Sequence, residues 1–191
     1  TIVIFYSDNG GHGGYRDLGR ENNGVTDNAP LKAGKGSFYE GGIRVPLVVR
    51  SPACIPAGST TREPVTSVDF YPSLLEAAGA DRPQNYVLDG KSLLPLFDAP
   101  DEGLDRSSLY WHFPGYPNNP WRTTPVSVIQ SWPWKLMKFY EDNRLELYNL
   151  EDDPGEQSNL AADRPEKRED LHRSLREWLD ENQAPMPRRR P

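Results

Sequence analysis

The feature that most constrains this chain is a stretch of ten glycines within residues 10–42, with no helical periodicity among them. A helix cannot run through so many glycines, each about 1 kcal/mol worse than alanine in a helix interior. The segment therefore reads as a long ordered loop, and loops of that length are usually functional. Short apolar runs border it. Thr1–Tyr6 lacks polar alternation and reads as a strand covered on both faces, as in a parallel α/β sheet. Val45-Pro46-Leu47-Val48-Val49-Arg50 reads as a second short buried strand.

Beyond the loop the punctuation changes. Val68–Gly79 reads as a helix, with Asp69 as N-cap, Pro72 in the first turn and Gly79 ending it. Asp98–Asp105 is rich in Asp, Pro and Gly and sets a boundary, dividing residues 1–98 from 99–191. Ser127–Ser131, Trp134–Tyr140 and Leu145–Leu150 then read as strands. Glu141-Asp142-Asn143-Arg144 supplies the hairpin turn between the last two. Pro165–Asn182 reads as a closing helix with Leu171, Leu175, Trp178 and Leu179 on one face. The fold class is α/β, followed by a small antiparallel sheet with a helix.

Composition narrows the function. The 191 residues carry a net charge of −6, which gives no general attraction to nucleic acid or an anionic membrane. No apolar run approaches the ~20 residues of a membrane span. One cysteine, Cys54, excludes a disulfide framework and a cysteine zinc cage.

Chemistry concentrates at the end of the first strand. Asp8 and Asn9 fall at its carboxyl end, where open α/β sheets bind ligands. Their oxygens suit a hard cation, Ca²⁺ or Mg²⁺. Read alone, Ser-Asp-Asn-Gly is also an ordinary turn. Lys35, flanked by Gly34 and Gly36, can serve as a fixed cation for an oxyanion or stand as a solvated loop lysine. The spacing is not that of a Walker P-loop. Tyr110–Arg122, "YWHFPGYPNNPWR", reads as an aromatic loop suited to a sugar or aryl group, with His112 either touching substrate or packed structurally.

Together, "FYSDNGGH", "PLKAGKGSFYEGGIRVP", "SVDFYPSLLEAAG", "LDGKSLLPLF" and "WKLMKFYEDNRLELYNLEDDPGEQSNLA" resemble, in this order, the C-terminal part of a type I sulfatase, as far as about Asp163. The resemblance implies an alkaline-phosphatase-like fold with a smaller C-terminal subdomain. It implies sulfate ester hydrolysis at a Ca²⁺ site, with export to the periplasm or medium. Asp8 and Asn9 match two of the family's metal ligands. Lys35 matches the lysine that contacts the sulfate. His12 lies near the site and His112 in a similar context can face substrate. Arg44 fits a structural buttress of the loop.

The family's formylglycine, made from Cys or Ser in Cys/Ser-x-Pro-Ser-Arg, is expected upstream, as are further acidic metal ligands. Cys54-Ile55-Pro56-Ala57-Gly58 begins like that motif but has Gly58 where Arg is required, and it fits the family's Pro-Ala-Gly surface loop. The chain is thus expected to be a C-terminal portion that starts mid-strand, inactive alone, weak for Ca²⁺ and prone to self-association through unpaired strand edges. Two other readings stay open: a phosphatase or phosphonate hydrolase of the same superfamily, or a non-catalytic binding or dimerisation module.

Overall fold

β-Branched and aromatic side chains draw the chain into strands wherever they can pair, and glycine and proline break it elsewhere. The computed structural model describes residues 1–21, 23–116 and 123–188. The elements run β1 (Val3–Tyr6), α1 (Glu40–Ile43), β2 (Leu47–Arg50), α2 (Phe70–Ala77), α3 (Pro95–Asp98), β3 (Leu109–Phe113), β4 (Val126–Ser131), β5 (Trp134–Phe139), β6 (Leu145–Asn149) and α4 (Pro165–Glu181). Single 3₁₀ turns cover Tyr15–Leu18 and Ser67–Asp69.

Two compact units interleave along the chain. The first comprises Thr1–Phe5 and Val48–Ser107, the second Tyr6–Leu47 and everything from Ser108 onward. In the first unit, β1 and β2 pair in a two-stranded sheet. The expected burial on both faces is not observed: Val3, Phe5 and Val48 are 51%, 66% and 61% exposed. Among the described residues the two strands pair only with each other. Helix α2 forms where expected, with Asp69 at its N-cap position but with no cap bond from that side chain to the helix. Thr66 caps the 3₁₀ turn just before it, and its amide donates to the Asp69 carboxylate at 2.8 Å. Asp69 also accepts from the Lys91 amide and from both terminal nitrogens of Arg106, so this fully buried carboxylate ties the helix start to the chain that follows. Gly79 at φ +62 closes the helix, with Ala80 N–H on the Leu75 carbonyl.

The second unit is built on a four-stranded antiparallel sheet in the order β3-β4-β5-β6. Residues Glu141–Arg144 turn β5 into β6, with Leu136 opposite Leu147. Alternation sends Ile129, Leu136 and Leu147 to one face, against Leu171, Leu175 and Leu179 of α4. Val126, Val128, Met137, Phe139 and Tyr148 point to the other, where Ala33 and Tyr39 of the glycine-rich segment pack. A sheet covered on both faces leaves no residue of β4, β5 or β6 exposed, and most are buried. Strand β3 revises the sequence reading, because Tyr110–Phe113 were expected in a loop. Trp111 and Phe113 pack toward the glycine-rich segment, while Tyr110 stacks on Trp178 of α4 at 4.8 Å. These rings serve the core. Residues 117–122 of the same stretch lie outside the described residues.

Candidate functional site

Strand β1 delivers the chain to Ser7, whose amide donates to the Pro46 carbonyl and whose hydroxyl donates to the Asn9 carbonyl at 2.8 Å. That bond tightens the turn carrying Asp8 and Asn9. Asp8 is exposed and Asn9 half-buried. Gly10 then crosses α1 so closely that an added Cβ would sit 1.8 Å from the Gly41 carbonyl oxygen, and its amide donates to the Gly42 carbonyl. Gly10 and the Gly-Gly pair of "EGGI" are thus two sides of one backbone crossing.

Lys35 is held from both sides of its own backbone. Its amide donates to the Gly11 carbonyl at 2.9 Å, and its carbonyl accepts from the Tyr15 hydroxyl at 3.1 Å. The Asn28 amide nitrogen sits among the carbonyls of Gly11, Gly13 and Ala33. Asp8, Asn9 and Lys35, far apart in sequence, thus sit on segments joined by direct backbone bonds. His12 packs edge-on against the Tyr15 ring at 5.2 Å, one residue beyond Gly11. Arg44 is exposed and faces Glu40 at 3.9 Å.

His112 stands elsewhere in the same unit, on β3. Its Nε2 lies 2.8 Å from the Pro185 carbonyl, which can only accept, so Nε2 carries a proton. Its Nδ1 lies 2.7 Å from Ser127 Oγ, which lies 2.7 Å from the Tyr140 hydroxyl. In the neutral ring the chain of donors runs from Tyr140 to Ser127 to His112 to Pro185. Both ring nitrogens are engaged in fastening the segment after α4 to the sheet.

A buried ionic cluster locks the glycine-rich segment onto the sheet, and the sequence reading missed it. Lys135 Nζ lies 2.8 Å from Glu40 and 2.9 Å from Glu156, all three nearly solvent-free. The second Glu156 oxygen accepts from the Glu40 amide at 2.6 Å. The Lys32 ammonium reaches the Glu156 carbonyl at 3.1 Å and lies over the Tyr39 ring. Glu146 accepts from the hydroxyls of Tyr39 and Tyr148, and burial raises both phenols above their ordinary values. One signal was legible: Lys135 falls in period 2 with Met137 and Phe139, and a lysine on an apolar strand face needs a buried partner.

Residues 34–185 match the family described as N-sulphoglucosamine sulphohydrolase, C-terminal. The chain belongs to the sulfatase family. It is 41% identical to a sulfatase of Formosa agariphila, over 97% of this chain and 34% of that protein. Two solved structures share the fold. One, in complex with its substrate D-glucosamine-2-N,6-O-disulfate, superposes with a TM-score of 0.75 at 27% identity, covering 98% of this chain and 35% of its own. The other, in complex with k-i-k-neocarrahexaose, gives 0.74 at 30% identity, covering 93% and 36%. This sulfatase chain therefore spans about a third of the length of these relatives.

The donors fit the Ca²⁺ that the family implies only in part. Ca²⁺ takes about 6–8 oxygens. Asp8 and Asn9 offer a carboxylate and an amide oxygen on a braced turn. Among the described residues, no group of three or more His, Cys, Asp or Glu converges on a candidate ion. Cys54 is exposed, beside Ser51 in the turn after β2.

Proposed function

We propose that this chain contributes the sulfate-contacting lysine and two metal ligands to a hydrolase of sulfated saccharides. The observation that carries this reading is the backbone of Lys35, bonded through its N–H to Gly11, two residues beyond Asn9, and through its carbonyl to Tyr15. So constrained a backbone fixes the base of the Lys35 side chain, whose ammonium would meet the charge that develops as a sulfate ester breaks, and stabilising such charge is usually the largest catalytic contribution. Lys35 is the residue in contact with the sulfate oxygens, and Asp8 and Asn9 hold the metal. A bound Ca²⁺ would withdraw charge from the same oxygens. His12 borders the site as a substrate contact, and His112 acts through the fold. The sugar substrate class is supported by the two ligand-bound relatives. Among the described residues, no helix is long and apolar enough to cross a membrane. Export to the periplasm or medium fits extracellular saccharides of this class.

The sequence contains no Cys/Ser-x-Pro-Ser-Arg, so the formylglycine nucleophile has no precursor in these 191 residues. The test compares this chain with the complete gene product on an aryl sulfate and a sulfated disaccharide. The chain alone is expected to give no turnover. Lys35→Ala in the complete product is expected to lower kcat/KM by about 10²–10³, the usual effect of removing one oxyanion partner. Undiminished activity of that variant, or preference for a phosphate or phosphonate ester, would overturn the reading.

A further inference from the structure

We infer that Asn28 is the positioning residue of this site, the side chain that holds the end of β1 in register with the Lys35 loop. The inference rests on the reading of Asp8, Asn9 and Lys35 just given. Asn28 Nδ2 lies 3.1 Å from the Gly11 carbonyl, 3.4 Å from that of Gly13 and 2.9 Å from that of Ala33. Three carbonyl oxygens around one atom identify it as the nitrogen, because a carbonyl oxygen there would find no donor. The acceptors come from two segments. Gly11 and Gly13 follow the Asp8–Asn9 turn, and Ala33 precedes Lys35 by two residues. One amide group therefore spans the gap between the candidate metal ligands and the candidate sulfate contact.

The amide is also enclosed. A Cβ on Gly11 would lie 2.4 Å from Asn28 Oδ1, and one on Gly34 would lie 2.5 Å from Nδ2. Backbone thus presses on both ends of the group. Asn28 is itself pinned, since its carbonyl accepts from the Leu31 amide at 2.9 Å. Ala33 has a reason to need such a hold. It is fully buried at φ +59, a left-handed conformation unfavourable for a residue with a Cβ. Its amide donates to Asp17 and its carbonyl accepts from Asn28. These two bonds over-determine the residue from which the chain turns into Gly34 and Lys35.

Removing the Asn28 donor leaves the Lys35–Gly11, Lys35–Tyr15 and Ala33–Asp17 bonds between the two segments, without the one group that ties Gly11 and Gly13 to Ala33. The sheet does not depend on Asn28, because its two core clusters and the Lys135 cluster hold it. The consequence is a displaced lysine in a folded protein. A misplacement of about 1 Å can cost about 10²-fold in rate.

The test uses the complete gene product with Asn28→Ala and Asn28→Asp, the latter placing a carboxylate against three carbonyls. Hydrogen exchange followed by mass spectrometry is expected to show the peptide over residues 33–37 exchanging at least ~10-fold faster, with β4–β6 and α4 unchanged. If Asn28→Asp fails to fold, Asn28→Ala carries the measurement, and Tyr15→Phe gives a smaller local effect from the other side of Lys35. On an aryl sulfate, Asn28→Ala is expected to lose about 10² in kcat with little change in KM. The loss is expected to vanish in the Lys35→Ala background, since both act through one group. Unchanged exchange at 33–37, loss of protection across the sheet, or multiplying kinetic effects would overturn the inference. A wild-type enzyme inactive on every sulfate ester would overturn the functional reading instead, and exchange would still decide whether Asn28 is the clamp.

Discussion

Glu156 sits where a carboxylate is hardest to keep charged. It is fully buried at φ +51, in the polar run "EDDPGEQSNL" that looks like a solvated loop. One ammonium, Lys135, serves both buried carboxylates, Glu40 and Glu156. Burial raises the Glu156 pKa, and Lys135 offsets that only in part. The native state then keeps its proton to higher pH than the unfolded chain does. The stability this adds is complete below the ordinary glutamate pKa and is lost as pH rises through the native value. Glu156→Gln fixes the neutral form. Its melting temperature relative to wild type is therefore expected to be lowest near pH 4 and to recover as pH rises above about 4.3, the ordinary value. Paired melting curves across pH check this, and a deficit that grows with pH would sink it.

At the scale of elements, the helix that covers the sheet is held by three buried leucines, Leu171, Leu175 and Leu179. Leu175 is 1% exposed, packed among Ile129, Leu136 and Leu147. Leu175→Ala is expected to cost about 2–5 kcal/mol, read from urea unfolding, because a rigid sheet cannot collapse into the space left. A loss below about 1 kcal/mol would mean that α4 repacks. This helix was legible in advance because its leucines recur at helical spacing. The β5–β6 hairpin was legible because four polar residues separate two apolar runs, with Asn143 taking the left-handed turn position at φ +60. Strand β3 was hidden because both its faces are occupied, so "LYWHF" shows no polar alternation and runs straight into Pro114. The N-cap position of α2 at Asp69 was legible from residue type, but the use of its carboxylate was not, because its partners Lys91 and Arg106 lie far along the chain. Of the candidate site, Asp8, Asn9 and Lys35 stood out through their motifs. Asn28 did not, since "TDNAP" is what any polar turn looks like and its partners are all main-chain carbonyls.

At the scale of the whole molecule, the two units differ in how they treat their apolar residues. The second buries its strands between a helix and the glycine-rich segment. The first leaves Val3, Phe5 and Val48 largely exposed on a sheet of two strands. Two strands with an apolar face are marginal by themselves, and an open edge offers unpaired N–H and C=O groups to another chain. Tyr71 and Leu74 of α2 add 50% and 47% exposed apolar side chains to the same unit. The net charge of −6 opposes association only at long range, and salt screens it within about 10 Å at 0.1 M. The 191-residue chain is therefore expected to self-associate, more strongly as salt is raised. Light scattering over a concentration series, with and without salt, measures this. The double variant Phe5→Lys and Val48→Lys places charge on the exposed positions of β1 and β2 and is expected to shift the chain toward monomer. A wild-type chain that stays monomeric at high concentration and high salt would show that this apolar sheet face does not drive association.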